Sequence, residues 1–252
     1  MCRHLAYLGP SVPLAGLLLE PEHSLLEQTW APRDMRDGGT VNADGFGIGW
    51  LPVEGGSPTA YRMPVPMWTD AAFHRTAATV RSSAVLGAIR SATVGMPVTQ
   101  AACAPFTSGA WMFSHNGKVP GWPDSVAKHA ARLDVVDLLT LEAPTDSALL
   151  WALLRQRMHR GEDAADATAA LVAEIAADVP DARLNLLLTD GNRIIATTWT
   201  HSLWVRRLDG AVTVSSEPFG ADQGWTEVPD RSLLIADTEH VLLTPLSEQE
   251  PT

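Results

Sequence analysis

Cysteine is scarce in this chain: two residues in 252, Cys2 and Cys103. Two are too few for a disulfide scaffold, and neither belongs to a CxxC pair, which argues against a structural zinc site and for a reducing compartment. The eight histidines are scattered, without an HxxxH pair, so no metal is expected. Long apolar runs are missing; none approaches the ~20 residues needed to span a bilayer. The opening stretch, MCRHLAYLGP, lacks the apolar region and small-residue cleavage site of a signal peptide. A cytoplasmic location is the expectation. Positive charge is short too: 18 Lys and Arg against 29 Asp and Glu give a net charge of -11. Nucleic-acid partners usually need a basic stripe, so none is expected. No P-loop or dinucleotide fingerprint occurs. GFGIG at Gly45–Gly49 is glycine-rich but lacks the required Lys and spacing, and no cofactor is expected.

What is present is a pattern of strands, then helices, then strands. Cys2–Leu8, Phe46–Leu51, Ala84–Ser91 and Ala110–His115 read as strands, the second with glycines that admit a close backbone or ligand. Asp70–Arg81 reads as a helix with Asp70 at its N-cap. After Pro144-Thr145, Leu149, Leu150, Leu153, Leu154 and Met158 recur at helical spacing, and Ala164–Val179 is a second, alanine-rich helix. From Arg183 onward, five short strand-like runs are separated by turns such as Asp190-Gly191 and Asp209-Gly210. This order predicts an α+β fold with an antiparallel sheet architecture and packed helices rather than parallel βαβ units. Residues 1–252 read as one domain, with a polar loop from Pro32 to Ala43 and a polar end from Ser247 to Thr252.

Cys2 becomes residue one if Met1 is removed, and its small side chain permits that removal. The residue then carries a thiol and a free α-amine, groups with reference pKa values of ~8.5 and ~7.7–8.0. The amine can take the thiol proton directly or through water, so one residue supplies nucleophile and base. Seen alone, a cysteine after Met is more often just a small residue on an edge strand.

Three further motifs bear on that choice. Arg90-Ser91-Ala92-Thr93-Val94-Gly95, Ser114-His115-Asn116-Gly117 and Thr145-Asp146-Ser147 follow Met1-Cys2, with the glycine-rich Asn42–Trp50 between Met1-Cys2 and the Arg90 motif. In order and approximate spacing the set resembles the class II, N-terminal-cysteine glutamine amidotransferases. The resemblance implies an N-terminal-nucleophile (Ntn) αββα sandwich, with two antiparallel sheets between helix layers. It implies a γ-glutamyl amidohydrolase with Cys2 as nucleophile, and Asn116 and Gly117 as donors to the oxyanion. Arg90 would grip the substrate α-carboxylate with its planar fork, Thr93 would add a hydroxyl, and Asp146 would bind the α-ammonium. Each residue also has an ordinary reading: Arg90 as a surface ion pair, Asn116-Gly117 as a hairpin turn, Asp146 as a helix cap. His4 and His115 read as structural.

Ser91 and Val94 stand where many members carry an aromatic and a His, so the pocket differs from the usual glutamine-specific one. MCRHLAYLGP, QTWAPR at Gln28–Arg33, IRSATVG and SSEP at Ser215–Pro218 are most similar to a stand-alone branch of the ergothioneine pathway. Its members remove glutamate from a sulfoxide conjugate of cysteine and trimethylated histidine. Nine tryptophans against two tyrosines are compatible with such a cation, which aromatic faces hold well; Trp30, Trp50, Trp68, Trp111 and Trp122 lie in or near the site segments. Two other readings stay open: a glutaminase subunit that passes ammonia to a separate synthase, and a catalytically silent binding domain.

Overall fold

A computed structural model describes residues 2–36, 41–52, 55–221 and 223–246. Met1, the Gly38-Gly39 pair of the polar loop and the polar end from Ser247 lie outside the described residues. In chain order the strands are β1 (Arg3–Pro13), β2 (Phe46–Trp50), β3 (Thr59–Met63), β4 (Arg81–Ile89), β5 (Phe106–Ser108), β6 (Trp111–Lys118), β7 (Arg183–Thr189), β8 (Ile194–Thr198), β9 (Trp204–Leu208), β10 (Ala211–Ser215), β11 (Trp225–Glu227), β12 (Ser232–Ala236) and β13 (Val241–Pro245). The helices are α1 (Ala15–Leu18), α2 (Ala71–Thr79), α3 (Ala127–Ala130), α4 (Val135–Leu139), α5 (Asp146–His159) and α6 (Ala164–Asp178).

Seven strands form one sheet in the order β11-β9-β10-β1-β4-β2-β3, and six form a second in the order β13-β12-β8-β7-β6-β5. Every described pairing is antiparallel. Period-2 alternation sorts the side chains into layers. Along β1, Leu5 and Tyr7 join a core under α1 and α2 with Phe46, Ile48 and Phe73. Ala6 and Leu8 face the other way and meet Met112 and Leu187 of the second sheet. Leu184, Leu186 and Leu188 of β7 turn outward again, onto α5 and α6. The result is a helix–sheet–sheet–helix sandwich, the layer order that the resemblance implied.

Local chemistry explains the element ends. Asp70 caps α2, accepting from the Phe73 N–H at 2.9 Å. Thr145, not Asp146, caps α5 through the Ala148 N–H, which leaves the Asp146 carboxylate for other partners. α5 is buried around most of its middle, Ala148 to Leu154, because α3, α4 and α6 cover the sides that do not face the sheet. Burying each such leucine stabilises the fold by ~1.5–3 kcal/mol.

One reading of the sequence changes, and another becomes specific. Asn116-Gly117 is not a hairpin turn: both residues lie inside β6, opposite Asn185 and Leu184. Gly117 is there because the Arg183 carbonyl comes so close that a Cβ would lie 1.9 Å from its oxygen. The close approach expected in the glycine strand is real, and it is backbone. A Cβ on Gly47 would lie 2.1 Å from the carbonyl oxygen of Ala104.

Candidate active site

The register of the seven-stranded sheet builds the cleft. Arg3 of β1 pairs with Ile89 of β4, and Phe46 of β2 pairs with Ile89 from the other side. Cys2 and Arg90 are the residues next to Arg3 and Ile89, at the ends of the two strands. The two residues line one cleft with Phe46, Cys103, Ser114 and His115. The Cys2 thiol is half-buried and donates to the Ser91 carbonyl at 3.7 Å.

Buried ionic bonding fixes the strand end that carries Cys2. The Arg3 guanidinium, 2% exposed, donates from Nε to Glu217 at 2.7 Å and from Nη1 to the Cys2 carbonyl at 2.9 Å. Its Nη2 donates to the carbonyl of Asp34. Glu217, equally buried, also accepts from His23 Nε2 at 2.6 Å and from the backbone N–H groups of Arg33 and Asp34. Burial works against the charge on Glu217, but the His23 hydrogen bond, the Arg3 charge and the Arg33 N–H outweigh it and hold the carboxyl down to about 2. MCRH, QTWAPR and SSEP, three separate strings of the sequence, therefore converge on one carboxylate. Ser216 adds a second tie, donating its N–H to the His4 carbonyl at 2.9 Å and accepting from the His4 N–H at 3.0 Å.

Arg90 is half-buried, and its guanidinium has one bond, from Nη1 to the Pro97 carbonyl at 2.8 Å. None of the ion pairs among the described residues involves it. The ordinary reading of Arg90 as a surface ion pair therefore fails, and most of the fork stays open to an anion. Its backbone is held on both sides, by the Gly45 carbonyl and the Asp44 N–H, while the Asp44 side chain accepts from Ala92 N–H at 2.8 Å. Thr93 is exposed, in a turn closed by the Met96 N–H onto its carbonyl.

The opposite wall comes from Ser114 and His115 of β6 and from Ser147 of α5, while Thr93, Asn116, Gly117 and Asp146 are not among the residues lining the cleft with Cys2 and Arg90. Asn116 is buried between the sheets; its Nδ2 donates to Ser216 Oγ at 3.4 Å, and its Oδ1 has no protein partner. Asp146, also buried, accepts from the N–H groups of Val119 and Ser147, at 2.9 and 2.7 Å. It enters no ion pair among the described residues, so its charge has no cation beside it. His115 ties this wall together. Its Nε2 donates to the Arg183 carbonyl at 2.8 Å, and Nδ1 lies 3.0 Å from the hydroxyl of Ser147, the neighbour of Asp146. His4 and His201 are buried nearby. Burial above all, with the positive neighbours around them, pushes each down to about 3.

Sequence reasoning named Cys2, Arg90, Thr93, Asn116, Gly117 and Asp146 as site residues, of which Cys2 and Arg90 line one cleft; it gave no role to Arg3, Glu217, Asp44 or Cys103. For Arg3 and Glu217 a signal existed: each is a charged residue next to a run that must be buried, which requires a partner. Among the described residues no group of three or more His, Cys, Asp or Glu side chains is arranged to hold a metal ion, and no helix is long and apolar enough to cross a membrane.

A model of class-II glutamine amidotransferases matches residues 26–210. The chain is 42% identical to the gamma-glutamyl-hercynylcysteine sulfoxide hydrolase of Mycolicibacterium smegmatis, over 98% of this chain and all of that one. It is 40% identical to the protein of that name in Mycobacterium tuberculosis, over 98% of this chain and 97% of that one. Among solved structures, a glutamine aminotransferase class-II domain protein from Silicibacter pomeroyi superposes with a TM-score of 0.68 at 23% identity, over 98% and 100% of the two chains. The allosteric regulatory enzyme of purine biosynthesis gives the same TM-score at 15% identity, with this chain spanning half of it; both likenesses concern the fold.

Proposed function

The chain belongs to the class-II glutamine amidotransferase family, and we propose that it hydrolyses the γ-glutamyl amide of γ-glutamyl-hercynylcysteine sulfoxide, releasing glutamate and hercynylcysteine sulfoxide. The observation that carries this reading is the presence of Cys2 in one cleft with an Arg90 whose guanidinium enters no ion pair among the described residues. The relatives at about 40% identity across nearly the whole chain support the choice of substrate. Residues 1–252 act as one catalytic domain: β1 is paired with both β4 and β10, so early and late segments share one sheet. Its partner is a small molecule, and its setting the cytoplasm.

Loss of Met1 frees the α-amine of Cys2. Arg90 takes the α-carboxylate of the glutamyl group bidentately, with the Thr93 hydroxyl beside it, and Asp146 takes the α-ammonium. The thiol passes its proton to the α-amine as Sγ attacks the γ-carbonyl carbon. The Asn116 amide and the Gly117 N–H carry the resulting oxyanion; a donor of this kind contributes ~2.7–4 kcal/mol. The tetrahedral intermediate collapses, the C–N bond breaks, and the α-ammonium returns the proton to the leaving amine. Water, deprotonated by the same α-amine, then attacks the thioester and releases glutamate and the thiol. Arg3 acts at one remove, holding the Cys2 carbonyl so that the thiol and amine keep one orientation.

The deciding experiment compares turnover of γ-glutamyl-hercynylcysteine sulfoxide with that of glutamine, alongside the intact mass of the protein. We expect a mass lacking Met1, a strong preference for the conjugate, and no turnover by Cys2→Ala. Preference for glutamine would make the chain a glutaminase subunit. A mass retaining Met1, with no turnover of either compound, would make it a binding domain.

A further inference from the structure

Of the nine tryptophans, only two are exposed: Trp30 at 47% and Trp68 at 39%. They touch each other, with ring centroids 5.9 Å apart and planes at 84°. Most of the other aromatic faces have partners, and Trp204 is half-buried in β9. Trp111, Trp199 and Trp225 each have an arginine over the ring, from Arg193, Arg231 and Arg206. Trp151 stacks on Phe113 in the core, and Trp50 and Trp122 pack against the hydrophobic clusters. Single exposed apolar residues are ordinary, whereas two large rings kept in contact at the surface need a reason.

Their place in the fold supplies one. Trp30 lies on a segment strapped to both sides of the cleft. On one side, the Thr29 carbonyl accepts from the Asn42 N–H, two residues before the Asp44 that holds Arg90 and Ala92. On the other, Arg33 and Asp34 bond to Glu217, and Arg3 bonds to Asp34 and to Cys2. Trp68 follows β3, whose last residue, Met63, accepts from the Cys103 thiol inside the cleft. Met35 and Val41, on the same stretch as Trp30, are exposed as well.

We propose that Trp30 and Trp68 form the subsite for the trimethylammonium group of the leaving half of the substrate. The inference rests on the function proposed above and assigns it a specificity determinant. A quaternary ammonium ion cannot donate a hydrogen bond, so charge complementarity alone selects it poorly. Two indole faces nearly at right angles meet it with their negative quadrupoles, and tryptophan is the strongest partner of this kind. The glutamyl half then lies between Arg90 and Asp146, while the cationic half extends outward to the tryptophan pair.

The test compares kcat/KM for the trimethylated conjugate with that for its neutral isostere, in which a tert-butyl carbon replaces the quaternary nitrogen. The wild-type enzyme is expected to prefer the cation by about tenfold or more, from two contacts of ~0.5–2 kcal/mol each. Trp30→Leu and Trp68→Leu, which keep apolar bulk without a π face, should bring the ratio close to one. Trp30→Phe and Trp68→Phe should restore part of it. A ratio unchanged in both leucine variants, or no cation preference in the wild type, overturns the subsite while leaving the γ-glutamyl hydrolase intact. Failure of the wild type to hydrolyse the trimethylated conjugate at all removes the underlying function instead.

Discussion

Glu217 holds Arg3 through a 2.7 Å bond between two side chains that are each 2% exposed, across 214 residues of sequence. Through Arg3 this carboxylate controls the carbonyl of the proposed nucleophile, and through Arg33 and Asp34 it controls the loop beside the cleft. Removing one member of a buried pair leaves the other charged and unpaired, at a cost of ~3–5 kcal/mol. Glu217→Gln is therefore expected to lower the unfolding free energy by about that much and to lower kcat more than it raises KM. Denaturant titration and steady-state kinetics at pH 7.5 would check both; a stable, fully active variant would remove Glu217 from the account.

Gly117 tolerates no side chain. An added Cβ would sit 1.9 Å from the Arg183 oxygen and 2.5 Å from His115 Nε2. Gly117→Ala must push β6 and β7 apart or break the His115 bond, an overpacking cost of ~1–3 kcal/mol or more. Loss of stability together with loss of turnover is expected, read by thermal unfolding and by kcat. An Ala variant with wild-type stability would contradict the packing described.

Arg90 and Asp146 should separate by charge type. Arg90→Lys keeps a positive charge but loses the planar fork, so KM for every γ-glutamyl substrate should rise about tenfold or more. Asp146→Asn keeps an acceptor for the Val119 N–H but loses the anion and the acceptor for the Ser147 N–H, so it too should raise KM while lowering the melting temperature modestly, short of unfolding. If Asp146→Asn unfolds the protein without affecting KM, the residue is structural.

Acid should destabilise the fold earlier than carboxylate chemistry alone predicts. Burial, with the positive neighbours adding to it, holds His4 and His201 down to about 3, below the usual ~6.5. Between these values the unfolded chain binds protons that the folded chain refuses. The stability is fully present above pH ~6.5 and declines as the pH falls toward 3. Unfolding free energies measured at pH 7.5 and pH 5 should differ by about 2 kcal/mol for each histidine. His201→Gln should roughly halve that slope. The Glu217 contribution behaves differently, because its carboxyl is held down to about 2; it persists until the pH drops below the ordinary glutamate range near ~4.3.

Much of the layer order was legible in the sequence. Period-2 runs and Asp-Gly turns after Arg183 mark strands whose two faces are both buried or half-buried. The Leu149–Leu154 helix and the Asp70 cap were equally readable. β3 and β13 were not, because they lie at sheet edges where side chains stay exposed and no alternation is imposed. Asn116-Gly117 misled for a physical reason: the same dipeptide that favours a turn also suits a strand crowded by a neighbouring carbonyl. Cys2 and Arg90 could be named from their order along the chain, but their meeting depends on a register that only the folded ladder supplies. The pairing of Arg3 with Glu217 needed the three-dimensional structure, since the two lie 214 residues apart.

The central position of β1 has a consequence for the order of events during synthesis. β1 pairs with β10, and the Arg3 side chain finds Glu217, only after more than 200 further residues exist. β4 is available much earlier, but at ~5–20 residues per second the beginning of the chain lacks β10 and Glu217 for on the order of ten seconds or more. An aminopeptidase acting on the nascent chain has that interval to remove Met1. Once Glu217 emerges, its bond to Arg3 fixes the strand end that carries Cys2, so the proposed removal of Met1 has its freest substrate before the sheet is complete.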